Sequence, residues 1–272
     1  MNLRKILLNA AAILLAVLFF LPLVWMFIVS VKPLGNTALE LKEWVNYSNF
    51  TLENYTYVFS NSSILRWTLN SFIVAIVSTI LGVYMSSLAA FAFSKLEFKS
   101  KAFIYILVVS GLLIPTEAIL IPLYETAMHL KMVDTMWGII LPGLTNPLGI
   151  LLIKQFMDGI PKDYIEAARL DGCKNFRLWW TVCMPLSKSS MLAVAIFVFL
   201  LAYNNFIWPF ININSEELMV LTTGIPTLVS MNPGQLNTSL TASAVAAVPA
   251  ILVFVILQKY IIQGVSMAGI KG

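Results

Sequence analysis

Six stretches of this chain are apolar over about 20 residues or more, and no other feature constrains its folding as tightly. They lie near 6–31, 69–93, 102–124, 135–156, 191–213 and 240–262. A helix needs roughly 20 apolar residues to cross a hydrocarbon layer about 30 Å thick, so each stretch is long enough to span a membrane. Inside lipid, backbone N–H and C=O groups must be paired within the protein, which makes helices the expected form. The expected fold is therefore an all-α polytopic membrane protein, with six transmembrane helices in a single domain over 1–272. Composition agrees: charged residues make up 11% of the 272, against about 25% in soluble domains, and the mean hydropathy is +0.86. A chain this poor in charge cannot cover a globule with solvated side chains.

An even number of spans puts both termini on one side. Lys32, Lys42, Arg66 and Lys131 then fall on the opposite side, and the other 13 of the 17 Lys and Arg residues lie with the termini. Positive charge accumulates on cytoplasmic loops, so both termini are expected in the cytoplasm of a bacterial cell. The first span follows Arg4 and Lys5 as a secretory signal would. Its apolar run is longer than a signal core and ends at Ser30-Val31-Lys32 without a small-x-small site, so an uncleaved anchor is expected. No basic run is interleaved with aromatics, which speaks against a nucleic-acid partner. Cys173, Cys183 and the single histidine, His129, have no metal-ligand spacing, and no nucleophile sits with a base and an orienting partner. Neither a metal nor a catalytic residue is expected, and the chain does not read as an enzyme. Two external segments are long, 32–68 and 212–239; the second lacks Lys and Arg and is either a solvated connector or a docking element.

The loop between the fourth and fifth spans, 157–188, carries the most information. Pro161 suits a helix start, and Asp163 favours the positive end of the helix dipole. Ile165, Ala168, Gly172 and Phe176 recur at helical spacing and are expected to share one apolar face. Gly172 stands where a helix would end in a left-handed turn. A second short helix is expected at about 175–182, before Pro185 enters the fifth span. Periodicity alone fits an interfacial helix pair as well as a plug for a groove on a partner.

The spacing adds a resemblance. Glu166-Ala167-Ala168, three residues, Gly172, nine residues, then Val182-Cys183-Met184-Pro185 resembles the EAA loop of ABC importer permeases, with Val182 and Met184 standing for Ile and Leu. Ile114-Pro115, Ile121-Pro122-Leu123-Tyr124, Trp137-Gly138, Leu141-Pro142, Asn204-Asn205, Trp208-Pro209 and the tail Gln263–Gly272 resemble the carbohydrate, maltose-transporter-like branch, in particular its smaller permease subunit. This resemblance implies the type I ABC importer fold. It implies half of a pathway for a sugar or oligosaccharide, shared with a second permease subunit in a heterodimer. Two ATPase subunits would bind from the cytoplasm, and an extracytoplasmic solute-binding protein would deliver the sugar. No GxxxxGK[ST] occurs, so ATP and Mg are expected on the partner subunits and no cofactor on this chain.

By the same resemblance, the expected coupling helix covers 164–175. Tyr164, Glu166, Ala167, Ala168, Arg169, Asp171, Gly172 and Pro185 are its functional residues, with Ala168 and Gly172 keeping the contact face flat. The tail at 263–272 is expected along the ATPase interface, and 212–239 against the binding protein. Polar groups within the spans, Tyr84, Asn146, Tyr203, Asn204 and Asn205, are candidates to line the sugar path or to hold helices together. Whether this chain touches the solute is left open by its sequence. Pro115 and Pro122 are both expected to interrupt helical hydrogen bonding in the third span. From composition alone an ion-coupled secondary transporter is the competing reading, and within importers a non-sugar solute is.

Overall fold

The computed structural model describes residues 3–46 and 49–269, with side chains described for 4–46 and 49–256, and all regular structure among them is helical. Helix α1 is Leu3–Ser30, α2 is Leu41–Trp44 and α3 is Glu53–Asn61. The long α4, Ile64–Lys95, precedes α5, Lys101–Ser110, and α6, Leu120–His129. Next come α7, Met136–Ile140, and α8, Pro147–Asp158. The following loop contains α9, Lys162–Leu170, α10, Asn175–Leu178, and α11, Met184–Leu186, with a π-helical turn at Trp179–Cys183. Helices α12, Lys188–Tyr203, α13, Ile207–Asn212, α14, Leu221–Met231, and α15, Leu236–Gly269, follow.

Among the described residues α1, α4 and α15 each contain an unbroken stretch long and apolar enough to cross a membrane. Three bent pairs bring the number to as many as six: Lys101–Leu113 with Thr116–His129 at 103°, Met136–Gly143 with Pro147–Asp158 at 45°, and Asn175–Leu186 with Lys188–Tyr203 at 82°. Pro115 explains the first bend. It forces Ile114 into extended backbone and cannot continue a helical ladder. Pro122, expected to interrupt the same span, instead sits in the first turn of α6, where its missing N–H would have had no helical partner. The segment expected as one span at 191–213 is also divided. Helix α12 stops at Tyr203, residues 204–206 leave the helix, and α13 resumes at Ile207.

The chain forms two compact units, Met1–Thr68 with Leu221–Val253, and Leu69–Val220 with Phe254–Gly272. In the first, the end of α1 is tied by buried amides. A helix leaves its last carbonyls without partners. Here the Asn54 Nδ2 donates to Ser30 O (3.0 Å) and Lys32 O (2.7 Å), and the Asn237 Nδ2 to Val29 O (3.2 Å) and Asn36 O (3.0 Å). Lys32, read from sequence as a loop cation, is fully buried; its ammonium donates to Asn46 O at 2.9 Å and lies 4.6 Å from the Phe50 ring centre. In the same unit Gly224 is packed so closely on Trp67 that a Cβ would come within 2.3 Å of the indole.

The second unit holds two apolar clusters. One packs α4, α8 and α12 around the 157–188 loop, with Ile153, Met157, Leu178, Trp179 and Cys183 fully buried. The other gathers Val74, Ala127, Ile139, Ile140, Trp208, Ile213 and Val220.

Candidate functional site

Helix α9 is short, and at nine residues it would be marginal alone. Its end is closed by a Schellman motif: Gly172 N donates to Arg169 O at 3.0 Å and Cys173 N to Ala168 O at 2.9 Å. Gly172 has φ +78°, a conformation that penalises residues with a Cβ, and open space surrounds its Cα. The glycine is therefore required by backbone conformation, and not by close packing against this chain.

The face of α9 divides differently from the sequence expectation. Ile165 and Ala168 are buried in the chain's own apolar cluster, so the small side chain at 168 serves internal packing instead of a flat partner-facing surface. Phe176, expected on that same face, is 62% exposed and only rests its ring on Trp179 at 5.3 Å. The outward side of the helix and its turn carries Tyr164, Glu166, Ala167, Arg169, Leu170, Asp171 and Gly172, all exposed. Leu170 is 89% exposed.

Three features fix this helix to the spans. The Lys95 ammonium, at the end of α4, donates to Ile160 O at 3.2 Å just before α9 begins. Trp179 is fully buried, edge-on to Tyr84 at 5.5 Å. Pro185 explains the π-helical turn at Trp179–Cys183: it lacks an N–H, and its ring would strike the carbonyl four residues back, so the backbone widens ahead of it. The chain then turns through 82° into α12, so α9 is joined to the fifth span through a corner filled by the buried Trp179.

The polar candidates for the path do not form one cluster. Asn146 caps α8, its Oδ1 accepting from Gly149 N at 3.1 Å. Tyr203 is buried, stacked on Phe199 at 5.8 Å and tilted against Phe72 at 5.6 Å. Tyr84 is partly exposed beside Trp179, Asn205 is half-buried, and Asn204 is exposed at the break between α12 and α13.

Sequence reasoning missed a polar knot at the start of α7. Asp134, at φ +57°, accepts from Asn214 N (3.0 Å), Ser215 N (2.9 Å) and the Ser215 hydroxyl, while its own N–H donates to Asn212 O (2.8 Å). The Ser215 hydrogen bonds, joined by that from Asn214 and opposed by partial burial, hold its carboxyl below the usual carboxylate range. Thr135 caps α7 through Gly138 N at 3.0 Å, and the Trp208 indole donates to Gly138 O at 2.8 Å. Asn70 donates from α4 to Glu217 O (2.9 Å) and Met219 O (2.8 Å). The Asp134-Thr135 pair ahead of a helix was the available signal. The 212–239 segment is thus no loose connector: its first part is tied into this knot, and α14 lies within its second. Side chains of the 263–272 tail, and residues 270–272 altogether, lie outside the described residues.

A chain whose described regular structure is all helical, with membrane-length spans and an amphipathic helix in one loop, defines a polytopic membrane protein. The family described as "Binding-protein-dependent transport system inner membrane component" matches residues 82–267, and the chain belongs to it. It is 30% identical to the arabinooligosaccharides transport system permease protein AraQ of Bacillus subtilis (strain 168), over 98% of this chain and 96% of that protein. It is also 30% identical to the trehalose/maltose transport system permease protein MalG of Thermococcus litoralis, over 99% of this chain and 98% of that one. Its fold matches a chain from the crystal structure of a bacterial ABC transporter involved in the import of the acidic polysaccharide alginate, with TM-score 0.81, 18% identity, and coverage of 96% and 98%. The protein is therefore a multi-pass inner-membrane permease subunit and not an enzyme. It acts in a binding-protein-dependent ABC importer whose ATPase activity lies in partner subunits.

Proposed function

We propose that this chain forms half of the path for a sugar or oligosaccharide and that α9 is the helix through which ATPase closure moves the spans. ATP and Mg sit on the partner subunits in this reading, and the chain itself binds neither. The relatives support a carbohydrate as solute: AraQ is named for arabinooligosaccharides and MalG for trehalose and maltose. The single observation that carries the coupling role is the division of α9, with Ile165 and Ala168 anchored in the core while Tyr164, Glu166, Arg169 and Leu170 stand outward unsupported. A helix held on one side by packing and offered on the other to a cleft moves as one body with whatever fills that cleft. Tyr164, Glu166, Ala167, Arg169, Leu170, Asp171 and Gly172 make the contact; Ala168 and Pro185 hold the helix on the fifth span. The second permease subunit pairs with this chain as a heterodimer, both termini lie in the cytoplasm, and part of 212–239 meets the solute-binding protein.

The test is ATP hydrolysis by the assembled importer in lipid, with and without loaded binding protein. Leu170→Asp changes only a side chain exposed in this subunit, so the subunit is expected to fold and insert normally, and hydrolysis is normalised to assembled complex. Stimulation by loaded binding protein is expected to fall at least tenfold in Leu170→Asp, and in Gly172→Asp as well. Wild-type stimulation in both variants would rule out the coupling role.

A further inference from the structure

Helix α4 carries two polar anchors in the second unit, Asn70 and Lys95, which lie roughly 38 Å apart along its axis at 1.5 Å per residue. Between them its helical ladder is continuous and free of proline. The fifth span differs: α12 stops at Tyr203 and α13 resumes at Ile207, so a displacement entering α12 meets non-helical residues on its way. A displacement entering one end of α4 meets none.

Lys95 is the anchor beside α9. Ile160 directly precedes Pro161, the N-cap of α9, so its carbonyl lies outside that helix's ladder, and the Lys95 ammonium supplies its partner at 3.2 Å. The same ammonium lies within electrostatic range of Asp158, at the end of α8, and of Cys183 in the π-helical turn. It therefore addresses both the entry to the 157–188 loop and its exit corner. About one turn earlier, Ala90 and Phe91 are buried in the cluster that holds Ile165 and Ala168 of α9. Apolar packing is non-directional, whereas a hydrogen bond depends on distance and angle, so Lys95 fixes where the start of α9 sits against α4.

Asn70 is the other anchor. It is buried, and its Nδ2 hydrogens serve Glu217 O (2.9 Å) and Met219 O (2.8 Å). Val74, one turn on, is buried with Ile213 and Val220. The segment 213–220 is thereby tied to α4 as well as to Asp134.

Resting on the coupling role of α9 above, we propose that α4 is a connecting rod: Lys95 takes up the displacement of α9, and Asn70 delivers it to residues 213–220. Both are positioning residues, each acting through the backbone carbonyls it holds. A partner docking on 213–220 then biases α9 through the same helix by an equal free energy.

The test is hydrogen exchange of 213–220 in the assembled importer in lipid nanodiscs, with the ATPase pair free of nucleotide or closed by ATP, Mg and vanadate. In the wild type, closure is expected to change exchange of this segment about fivefold, the lower end of typical coupling. Lys95→Met keeps the apolar stem and removes the ammonium. It is expected to leave exchange without nucleotide as in the wild type and to abolish the change on closure, while Lys95→Arg, which restores a donor, recovers it. A closure-driven change that survives in Lys95→Met, or none in the wild type, would overturn the rod. Exchange already altered without nucleotide in Lys95→Met would mark a residue that only stabilises the fold, and would count against it too. The coupling role is judged apart: if Leu170→Asp and Gly172→Asp lose ATPase stimulation while Lys95→Met exchanges like the wild type, the rod alone fails. Wild-type stimulation in both would remove the reading on which the rod rests.

Discussion

Asp134 shows how much a single side chain organises. Its carboxylate gathers two backbone amides and a hydroxyl from residues 214–215, and its own backbone sits in a left-handed conformation that aspartate tolerates better than most residues. These donors favour the charged form, so its folded-state pKa lies below the unfolded one. The stabilisation is complete above the ordinary carboxylate range and is lost as pH falls through that range towards the depressed folded value. Residues 213–220 are thus expected to loosen on acidification, and in Asp134→Asn to be loosened at neutral pH too. Protease accessibility or hydrogen exchange of that segment, followed from pH 7 down to 3, checks this; a segment equally protected in Asp134→Asn at pH 7 would contradict it. Lys32 teaches the same lesson about context. A lysine counted as a solvated loop charge is enclosed, its ammonium shared by a carbonyl and an aromatic face, a geometry that takes the place of water.

Among the elements, α9 depends on how it ends. Both hydrogen bonds of its C-terminal motif require Gly172 to remain left-handed. Gly172→Ala is expected to destabilise the turn by about 1 kcal/mol, and Gly172→Asn by less, since asparagine enters the left-handed region more readily. The open space around Gly172 leaves backbone conformation as the only local term. ATPase coupling in the assembled importer should follow the order Gly, Asn, Ala. A Gly172→Ala variant coupled as well as wild type would mean that the turn is not what α9 needs. The π-helical turn and Pro185 make up the other half of the mount, and Trp179, buried where α10 runs into them, fills the corner.

For the whole molecule, the orientation proposed above rests on the distribution of Lys and Arg, 13 of the 17 lying on the side of the termini if all six apolar stretches cross. The expected topology places Lys99 in the cytoplasm and Lys131 outside. Cysteines introduced singly at these exposed loop positions, in a background with Cys173 and Cys183 replaced, give the check. In whole cells an impermeant maleimide should label the cysteine at 131 directly and the one at 99 only after the membrane is opened. The reverse pattern would invert the topology and remove α9 from the ATPase side.

The membrane class, the six apolar stretches, the helical form and the loop with the EAA spacing were all readable from the sequence, because hydrophobic length and glycine position are local properties. Gly172 at a helix end was correctly anticipated for that reason. What the sequence left undecided was direction. It put Ile165, Ala168 and Phe176 on one face, whereas packing sends the first two into the cluster that holds Trp179 and Met157 and leaves the third exposed. It ran the fifth span straight through Asn204, where the chain breaks, and it gave Pro122 the same effect as Pro115, although only one of them lies where a helix needs its N–H. The Asp134 knot joins residues about 80 positions apart, and the amides of Asn54 and Asn237 reach carbonyls far away in the chain. Such pairings follow from which groups a fold leaves without partners, and only the tertiary structure decides that.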